Sequence, residues 1–277
     1  MSVYISEKGY TTMNYLIING SPHKGNTWIL VEQIKNDIAL LSAESVFEEI
    51  HLIDLNLPFC TGCSLCFRKG HELCPHNKIM QNIIHKIEWA DGVIFATTTF
   101  FMQPTALTKN LIDHFCFMTH RPYFFTKKAL VVSTTGGVGA KEAVKYTAGW
   151  FRGLGFNKCY EFPVVAYSWN AYRLNEKAKL KCIKLAKTFH KDVASKKIHA
   201  PRWLILIPYN LFRGMCLNYV KGTEYEYMDG THWSDPIRAK SIYDPSVPVP
   251  FYKKPFGGLF YIIGKIASKF ITLTYRK

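Results

Sequence analysis

No apolar run in this sequence reaches the roughly 20 residues that cross a bilayer. The longest candidate, Trp203-Leu204-Ile205-Leu206-Ile207, ends at Pro208, which excludes a membrane-spanning helix. Residues 1–12 are polar and carry Glu7 and Lys8, unlike a secretory signal. These absences predict a soluble cytoplasmic protein. Acid is scarce as well: 20 Asp and Glu stand against 35 Lys and Arg, a formal charge of +15. A balance of that size favours nucleic acid, an acidic membrane surface or anionic small molecules. The lysines form no single nucleic-acid-like arm. They gather at 177–197 and at 253–277, and residues 251–277 contain no acid at all. The expectation is a solvated surface that attracts phosphate-bearing cofactors, with no nucleic-acid partner. The apolar end, 256–272, with Lys265 and Lys269 interspersed, has the pattern of a basic amphipathic helix. Such a helix can lie on a membrane surface, but packing on its own domain or a dimer partner is the commoner fate.

What is present is a core-forming chain. Hydrophobic residues make up 48% and aromatics 15% of the 277 residues, which is globular composition. Residues 14–19 form a short continuous apolar strand of the buried parallel kind. A helical pattern follows at 27–41, with Trp28, Leu30, Val31, Ile34 and Ile38 near one face. Further strands are expected at 46–52, 92–97, 129–134 and 159–165, and helices at 78–89, 105–117, 141–153 and 175–194. Five strand–helix alternations at crossover spacing predict an α/β open five-stranded parallel sheet with helices on both faces. Ligands of such sheets bind outside the carboxyl ends of the strands. The loops 20–27, 97–104 and 133–139 occupy those ends. Past residue 200 the composition turns to Pro, Trp, Tyr and Phe, giving a C-terminal extension of short helices and irregular segments. The expected division is an extension at 1–13, the α/β domain at 14–198 and the C-terminal extension at 199–277.

The loop Gly20-Ser21-Pro22-His23-Lys24-Gly25-Asn26-Thr27 joins a strand to a helix, where backbone N–H groups and the helix dipole favour an anion. Gly20 suits a tight turn and Pro22 stiffens it. Ser21, Asn26 and Thr27 add hydroxyl and amide donors, and Thr27 is also a plausible N-cap. Gly20 and Gly25 have Walker A spacing, but Asn26 stands where that motif requires Lys. A triphosphate with magnesium is therefore not expected. Gly137-Val138-Gly139 begins a dinucleotide fingerprint, yet Glu142 occupies its third glycine position. A monophosphate held by neutral donors remains.

Residues 19–27 resemble the Gly-Ser-Pro-x-x-x-Gly-Asn-Thr loop of the flavodoxin-like NAD(P)H-dependent FMN reductase family, which includes iron–sulfur flavoproteins. The similarity extends over about 14–194. Lys109-Asn110-Leu111-Ile112-Asp113 matches that family's Lys-x-x-Ile-Asp helix, and Thr134-Thr135-Gly136-Gly137 resembles its third flavin-contacting loop. Thr97-Thr98-Thr99-Phe100-Phe101 stands where Ser-Pro-x-Tyr is usual, so Thr98 replaces Pro and Phe100 replaces Tyr. Backbone donors to the flavin survive both changes, whereas a tyrosine hydroxyl contact does not. An aromatic at 100 or 101 can flank the ring; ordinary core packing is the alternative. The resemblance implies a flavodoxin-like fold and FMN. Ser21, His23, Asn26 and Thr27 would lie at the phosphate, with Thr98, Thr99, Phe100, Phe101, Thr134, Thr135, Gly136 and Gly137 around the ring. It further implies NAD(P)H as transient co-substrate, a small electron acceptor and a homodimer. No side chain is assigned as a general acid or base, because hydride transfer to flavin needs stacking and alignment.

Eight cysteines is a high count, and four of them read Cys60-x2-Cys63-x2-Cys66-x7-Cys74-Pro75. In a cytosolic setting such clustering favours metal or redox chemistry over structural disulfides. The motif resembles that of iron–sulfur flavoproteins, which place a [4Fe–4S] cluster beside FMN. Zinc with four thiolates or with His71 or His76, a Cys60–Cys63 redox pair, and free thiols in a lid-like loop are the alternatives. Cys116, Cys159, Cys182 and Cys216 read as core fillers. His114, His120 and Arg121 follow the flavin-side helix, either facing flavin or dinucleotide phosphate or ending a helix in solvent. The resulting expectation is an FMN-dependent NAD(P)H oxidoreductase. The alternatives are an electron carrier with FMN and a cluster but no nicotinamide turnover, and a binding module that uses the basic tail on membrane or nucleic acid. Met13 precedes the family's usual first strand, so 1–12 is expected to add little to the fold.

Overall fold

A computed structural model describes residues 12–222 and 227–271; the expectation for 1–12 falls almost entirely outside these residues. Five strands form one parallel sheet in the order β2-β1-β3-β4-β5. They are β1 (Asn14–Asn19), β2 (Val46–His51), β3 (Gly92–Thr98), β4 (Lys128–Thr135) and β5 (Lys158–Val165). The helices between and after them are α1 (Asn26–Leu41), α2 (Leu65–Arg68), α3 (Asn77–Trp89), α4 (Ala106–His114), α5 (Cys116–His120), α6 (Ala140–Gly153) and α7 (Glu176–Ala194). The chain continues with α8 (Trp203–Met215), α9 (Met228–Ser234), α10 (Pro236–Lys240) and α11 (Lys254–Ala267).

Strand side chains alternate between two cores because successive residues point to opposite faces. Leu16, Ile18, Val93, Phe95, Ala129 and Val131 pack with Ile83 and Ile87 of α3, Leu111 of α4 and Phe151 of α6. Tyr15, Ile17, Ile94, Ala96, Leu130 and Val132 pack with Val31, Ile34 and Ile38 of α1 and Ala186 and Phe189 of α7. Burial on both faces explains why β1, β3 and β4 read as unbroken apolar runs. Edge strand β2 carries adjacent Glu48 and Glu49, both half-buried, and fully buries only Ile50, so it shows neither an unbroken apolar run nor a strict alternation. This is the flavodoxin-like strand order, whose switch point lies between β1 and β3.

Two expectations change. The predicted helix 105–117 is two pieces, broken at Phe115, whose N–H turns back to Leu111 and Ile112. Pro208 does not end the apolar segment after Trp203: α8 runs through it to Met215. The extension has its own aromatic core, where Leu206, Tyr209, Tyr219, Trp233 and Tyr243 close around Phe125, just before β4.

Candidate functional site at the carboxyl ends of the strands

The loop after β1 is drawn tightly against β3 and α4. The Gly20 N–H donates to the Ala96 carbonyl at 2.8 Å, and the Gly20 carbonyl accepts from the Thr105 and Thr108 hydroxyls. A Cβ on Gly20 would sit 2.1 Å from Thr108 Oγ1. Close approach, not a left-handed turn, is therefore what this position requires, since Gly20 is outside the positive-φ residues. Thr105 also caps α4 by accepting the Thr108 N–H. Neither threonine was singled out in the sequence, although Pro-Thr ahead of an apolar helical run is a readable cap signal.

Four hydroxyls lace the strand ends together. Ser21 Oγ lies 2.9 Å from Thr98 Oγ1 and accepts the Thr98 N–H at 3.1 Å. Thr27 Oγ1 lies 2.7 Å from Thr134 Oγ1 and 3.2 Å from Thr98 Oγ1. Thr27 is thus not the N-cap: α1 begins at Asn26 behind Gly25, no side chain caps it, and its first turn holds no acid. The hydroxyl has buried partners on β3 and β4 instead. The Asn26 amide is occupied too. It donates to the Ser168 and Trp169 carbonyls at 3.0 and 3.2 Å and accepts the Tyr172 N–H at 3.3 Å. It therefore fastens the loop after β5 to the start of α1.

What the loop offers an anion is the open end of α1. The Trp28 and Ile29 N–H groups donate to the Gly25 carbonyl at 2.9 and 3.3 Å; the N–H groups ahead of them have no intrahelical acceptor, and neither a side-chain cap nor a first-turn carboxylate competes for them. His23 is exposed beside this end. Lys24 leans over the Trp28 ring at 4.5 Å and reaches Glu49 at 3.5 Å.

Apolar side chains stand out around this cradle. Phe100 and Gln103 exchange backbone hydrogen bonds at 2.9 and 3.0 Å, which closes a two-residue hairpin at Phe101 and Met102. Both residues have positive φ, 44° and 65°. Non-glycine residues pay roughly 1–2 kcal/mol each for that conformation. The turn thrusts Phe101 wholly into solvent, 100% exposed, and Phe100 is exposed beside it. Neither packs in the core, so that alternative is excluded. Trp169, 91% exposed, leans over Gly136, where an added Cβ would meet its ring at 3.2 Å. Thr99 joins Ser133, hydroxyl to hydroxyl at 2.9 Å, and the Thr135 hydroxyl donates to the Val138 carbonyl at 2.6 Å. Gly137 has nothing within 4 Å of a built Cβ. The sequence reading missed Trp169, which nothing in its local pattern distinguishes. An open helix end beside a rim of exposed aromatics fits FMN, with phosphate at α1 and ring among the three later loops.

The cysteine segment leaves β2 through a 3-10 turn, Leu52–Leu55, and is pinned to α4 and α5. Asn110 donates to the Leu57 and Pro58 carbonyls at 3.0 and 3.2 Å and accepts the Cys60 N–H at 3.2 Å. His71 stacks on Phe117 at 4.9 Å, and His76 Nδ1 lies 2.8 Å from His114 Nε2. Burial holds the His114 imidazole below its ordinary pKa. Burial, reinforced by neighbouring Cys74, pushes the Cys66 thiol up to about 11; Cys60 and Cys63 act on it in the same sense. Cys60, Cys63 and Cys74 thus all lie within electrostatic reach of Cys66. All are free, and among the described residues no three His, Cys, Asp or Glu side chains already form a metal-binding group. Of the isolated cysteines, Cys182 and Cys216 are buried, but Cys116 is exposed at the start of α5 and does not fill the core.

His120 and Arg121 are engaged by an acid of the C-terminal extension and do not end the helix as free solvated charges. Asp229 of α9 takes both, His120 Nδ1 at 2.8 Å and the Arg121 guanidinium, while Arg121 also donates to the Cys66 carbonyl at 2.7 Å. The C-terminal extension is thereby tied to the cysteine segment. A cavity of about 430 Å³ lies at this junction, lined in part by His71, Phe117, Arg121, Met228 and His232.

The switch-point cradle and its aromatic rim define a flavodoxin-like protein built for a flat, phosphate-bearing ligand. Residues 13–169, more than half of the chain, match the family described as NADPH-dependent FMN reductase, and the chain belongs to that family. An iron–sulfur flavoprotein of Archaeoglobus fulgidus is 39% identical over 101 residues, 36% of this chain and 48% of that one. The chain therefore spans about half the length of that relative. An iron–sulfur flavoprotein of Clostridioides difficile is 27% identical over 184 residues, covering 65% of this chain and 80% of its own. A solved flavone reductase structure superposes with a TM-score of 0.50 at 15% identity, over 65% of this chain and 63% of that one; it supports the fold alone.

Proposed function

We propose that the chain is an FMN-dependent NAD(P)H oxidoreductase that passes electrons to a small acceptor such as a quinone, flavin or iron centre. The observation that carries this reading is the uncapped, acid-free start of α1 facing a rim of exposed aromatics at the sheet's switch point. Backbone N–H groups of residues 23–27 would hold the phosphate. Ser21, Thr27, Thr98 and Thr134 would keep the loops in register, and Phe100, Phe101 and Trp169 would enclose the ring. FMN, when bound, supplies the two-electron chemistry. The protein's part is to position the ring and leave one face open to nicotinamide and then to acceptor. The test is anaerobic addition of NADH or NADPH to FMN-loaded protein. Rapid loss of flavin absorbance supports the reading, and persistence of the oxidised spectrum with both nucleotides refutes it.

A second reading keeps FMN and adds a [4Fe–4S] cluster on Cys60, Cys63, Cys66 and Cys74, making the protein an electron carrier. It is favoured by the reach of Cys60, Cys63 and Cys74 to Cys66 on one segment pinned to α4 and α5, and by the names of the curated relatives. Four irons and four sulfides per chain after anaerobic purification, with no bleaching by nicotinamide, would support it. Fast bleaching without iron would support the reductase. A homodimer and a cytoplasmic location belong to the same proposal.

A further inference from the structure

We infer that α8 and α11 form a docking face for an anionic lipid surface. The two helices run side by side in the same direction. Trp203 meets Phe256 edge-on at 5.0 Å near their starts, and Gly214 faces Tyr261 and Lys265 near their ends. Glycines set this contact. A Cβ on Gly214 would lie 2.4 Å from the Tyr261 carbonyl oxygen, and one on Gly264 would lie 2.4 Å from that of Leu211. Gly257 and Gly264 are the only buried residues of α11. The helix therefore gives α8 its small residues together with Phe256, and leaves Leu259, Ile262, Ile263 and Ile266 on the outside.

Those outward residues are ordered. Leu259, Ile262, Ile263 and Ile266 are all exposed and fall at i, i+3, i+4 and i+7, one stripe of a helix. Phe270 and Ile271 extend the apolar surface in the turn after it, and both are exposed. Leu204, Trp203, Phe251 and Tyr252 add exposed apolar area at the other end. Contiguous apolar surface of this kind marks an interaction site.

Charge selects the occupant. From Val193 to Thr223 there is no acid, and none follows Asp244. Lys254 and Lys265 are exposed and, at about 100° per residue, fall on one side of the stripe, with exposed Lys269 just past the helix end; Lys253 sits 5.4 Å over the Trp203 ring. An apolar stripe edged by lysines alone, with aromatics at its end, suits acyl chains beneath anionic headgroups. A second copy of the face would set lysine against lysine. No helix among the described residues is long and apolar enough to cross a membrane, so the contact is interfacial. The face carries none of the flavin-cradle residues, so this inference stands apart from the proposed activity.

Co-sedimentation of the full FMN-loaded chain with vesicles tests it. Binding is expected on phosphatidylcholine vesicles containing phosphatidylglycerol, weakening with added salt, and not on phosphatidylcholine alone. Ile262→Glu with Ile266→Glu should abolish it. Lys265→Gln with Lys269→Gln should lower it about tenfold or more, since each lysine near an anionic surface adds roughly a fivefold factor. Both variants should keep wild-type FMN binding, which shows that they fold. No sedimentation with anionic vesicles at low salt overturns the proposal. So does conversion of a dimer to a monomer by the isoleucine changes with vesicle binding retained, which would assign the face to a second copy.

Discussion

Replacing Phe101 with glycine should make the protein more stable and a worse flavin binder. Phe101 has φ +44° and a fully exposed side chain. The left-handed backbone costs a non-glycine residue about 1–2 kcal/mol, and glycine removes that cost. Its greater freedom in the unfolded chain takes back about 0.5–1 kcal/mol. No packing is lost, because the ring touches nothing that hides it. The net gain is about 0–1.5 kcal/mol, centred near 0.8 kcal/mol, or roughly 2–3 °C in melting temperature for a chain of this size. With FMN the sign reverses. If one face of the ring, on the order of 80 Å², is covered by the isoalloxazine, its loss removes about 2 kcal/mol. The dissociation constant should then rise on the order of tenfold to thirtyfold. Differential scanning fluorimetry of the apo-protein and a fluorescence titration with FMN give the two numbers. A fall in apo stability would show that the ring packs in the fold. An unchanged FMN affinity would show that the hairpin does not wall the flavin.

Three further outcomes follow from the same geometry. Thr27→Val keeps the shape but deprives Thr134 and Thr98 of a buried hydroxyl partner, so urea unfolding should show a loss of about 1–3 kcal/mol; an unshifted midpoint would contradict the lacing role. Asp229→Ala leaves Arg121, whose side chain is 10% exposed, without its carboxylate, and should cost roughly 3 kcal/mol while speeding proteolysis within 60–74. Wild-type resistance would mean that the extension does not hold the cysteine segment. His232 is pushed down to about 4 by burial, with Arg238 and Arg121 adding to the effect. The folded state thus binds fewer protons than the unfolded one between pH 6.5 and 4, and stability is full above pH 6.5 and falls on acidification through that window. His232→Gln should flatten the melting-temperature profile there; an unaltered slope would assign the acid sensitivity to other groups.

The sheet and its order of elements were legible because β1, β3 and β4 are buried on both faces and each crossover helix carries a one-sided apolar stripe. The phosphate loop was legible because Gly20 to Thr27 joins a strand to a helix. Its inner workings were not. Asn26 reads as a phosphate donor, yet its partners at 168, 169 and 172 lie more than 140 residues away. His120 and Arg121 read as solvent or ligand contacts because Asp229, 109 and 108 positions on, gives no local sign of them. The hairpin at Phe101 and Met102 was hidden for another reason. Turns with two positive φ values ordinarily announce themselves through Gly or Asn, and here neither is present. A strained turn that holds an exposed aromatic is a mark of function that only the backbone reveals.

The central claim, that the open end of α1 holds the phosphate of a flavin, is tested most directly by titrating the apo-protein with FMN and with riboflavin. The two ligands share the ring and differ in the phosphate. Several charge-assisted hydrogen bonds at the helix end should favour FMN by at least about 3 kcal/mol, on the order of a hundredfold in affinity. Equal affinity for the two would contradict the account.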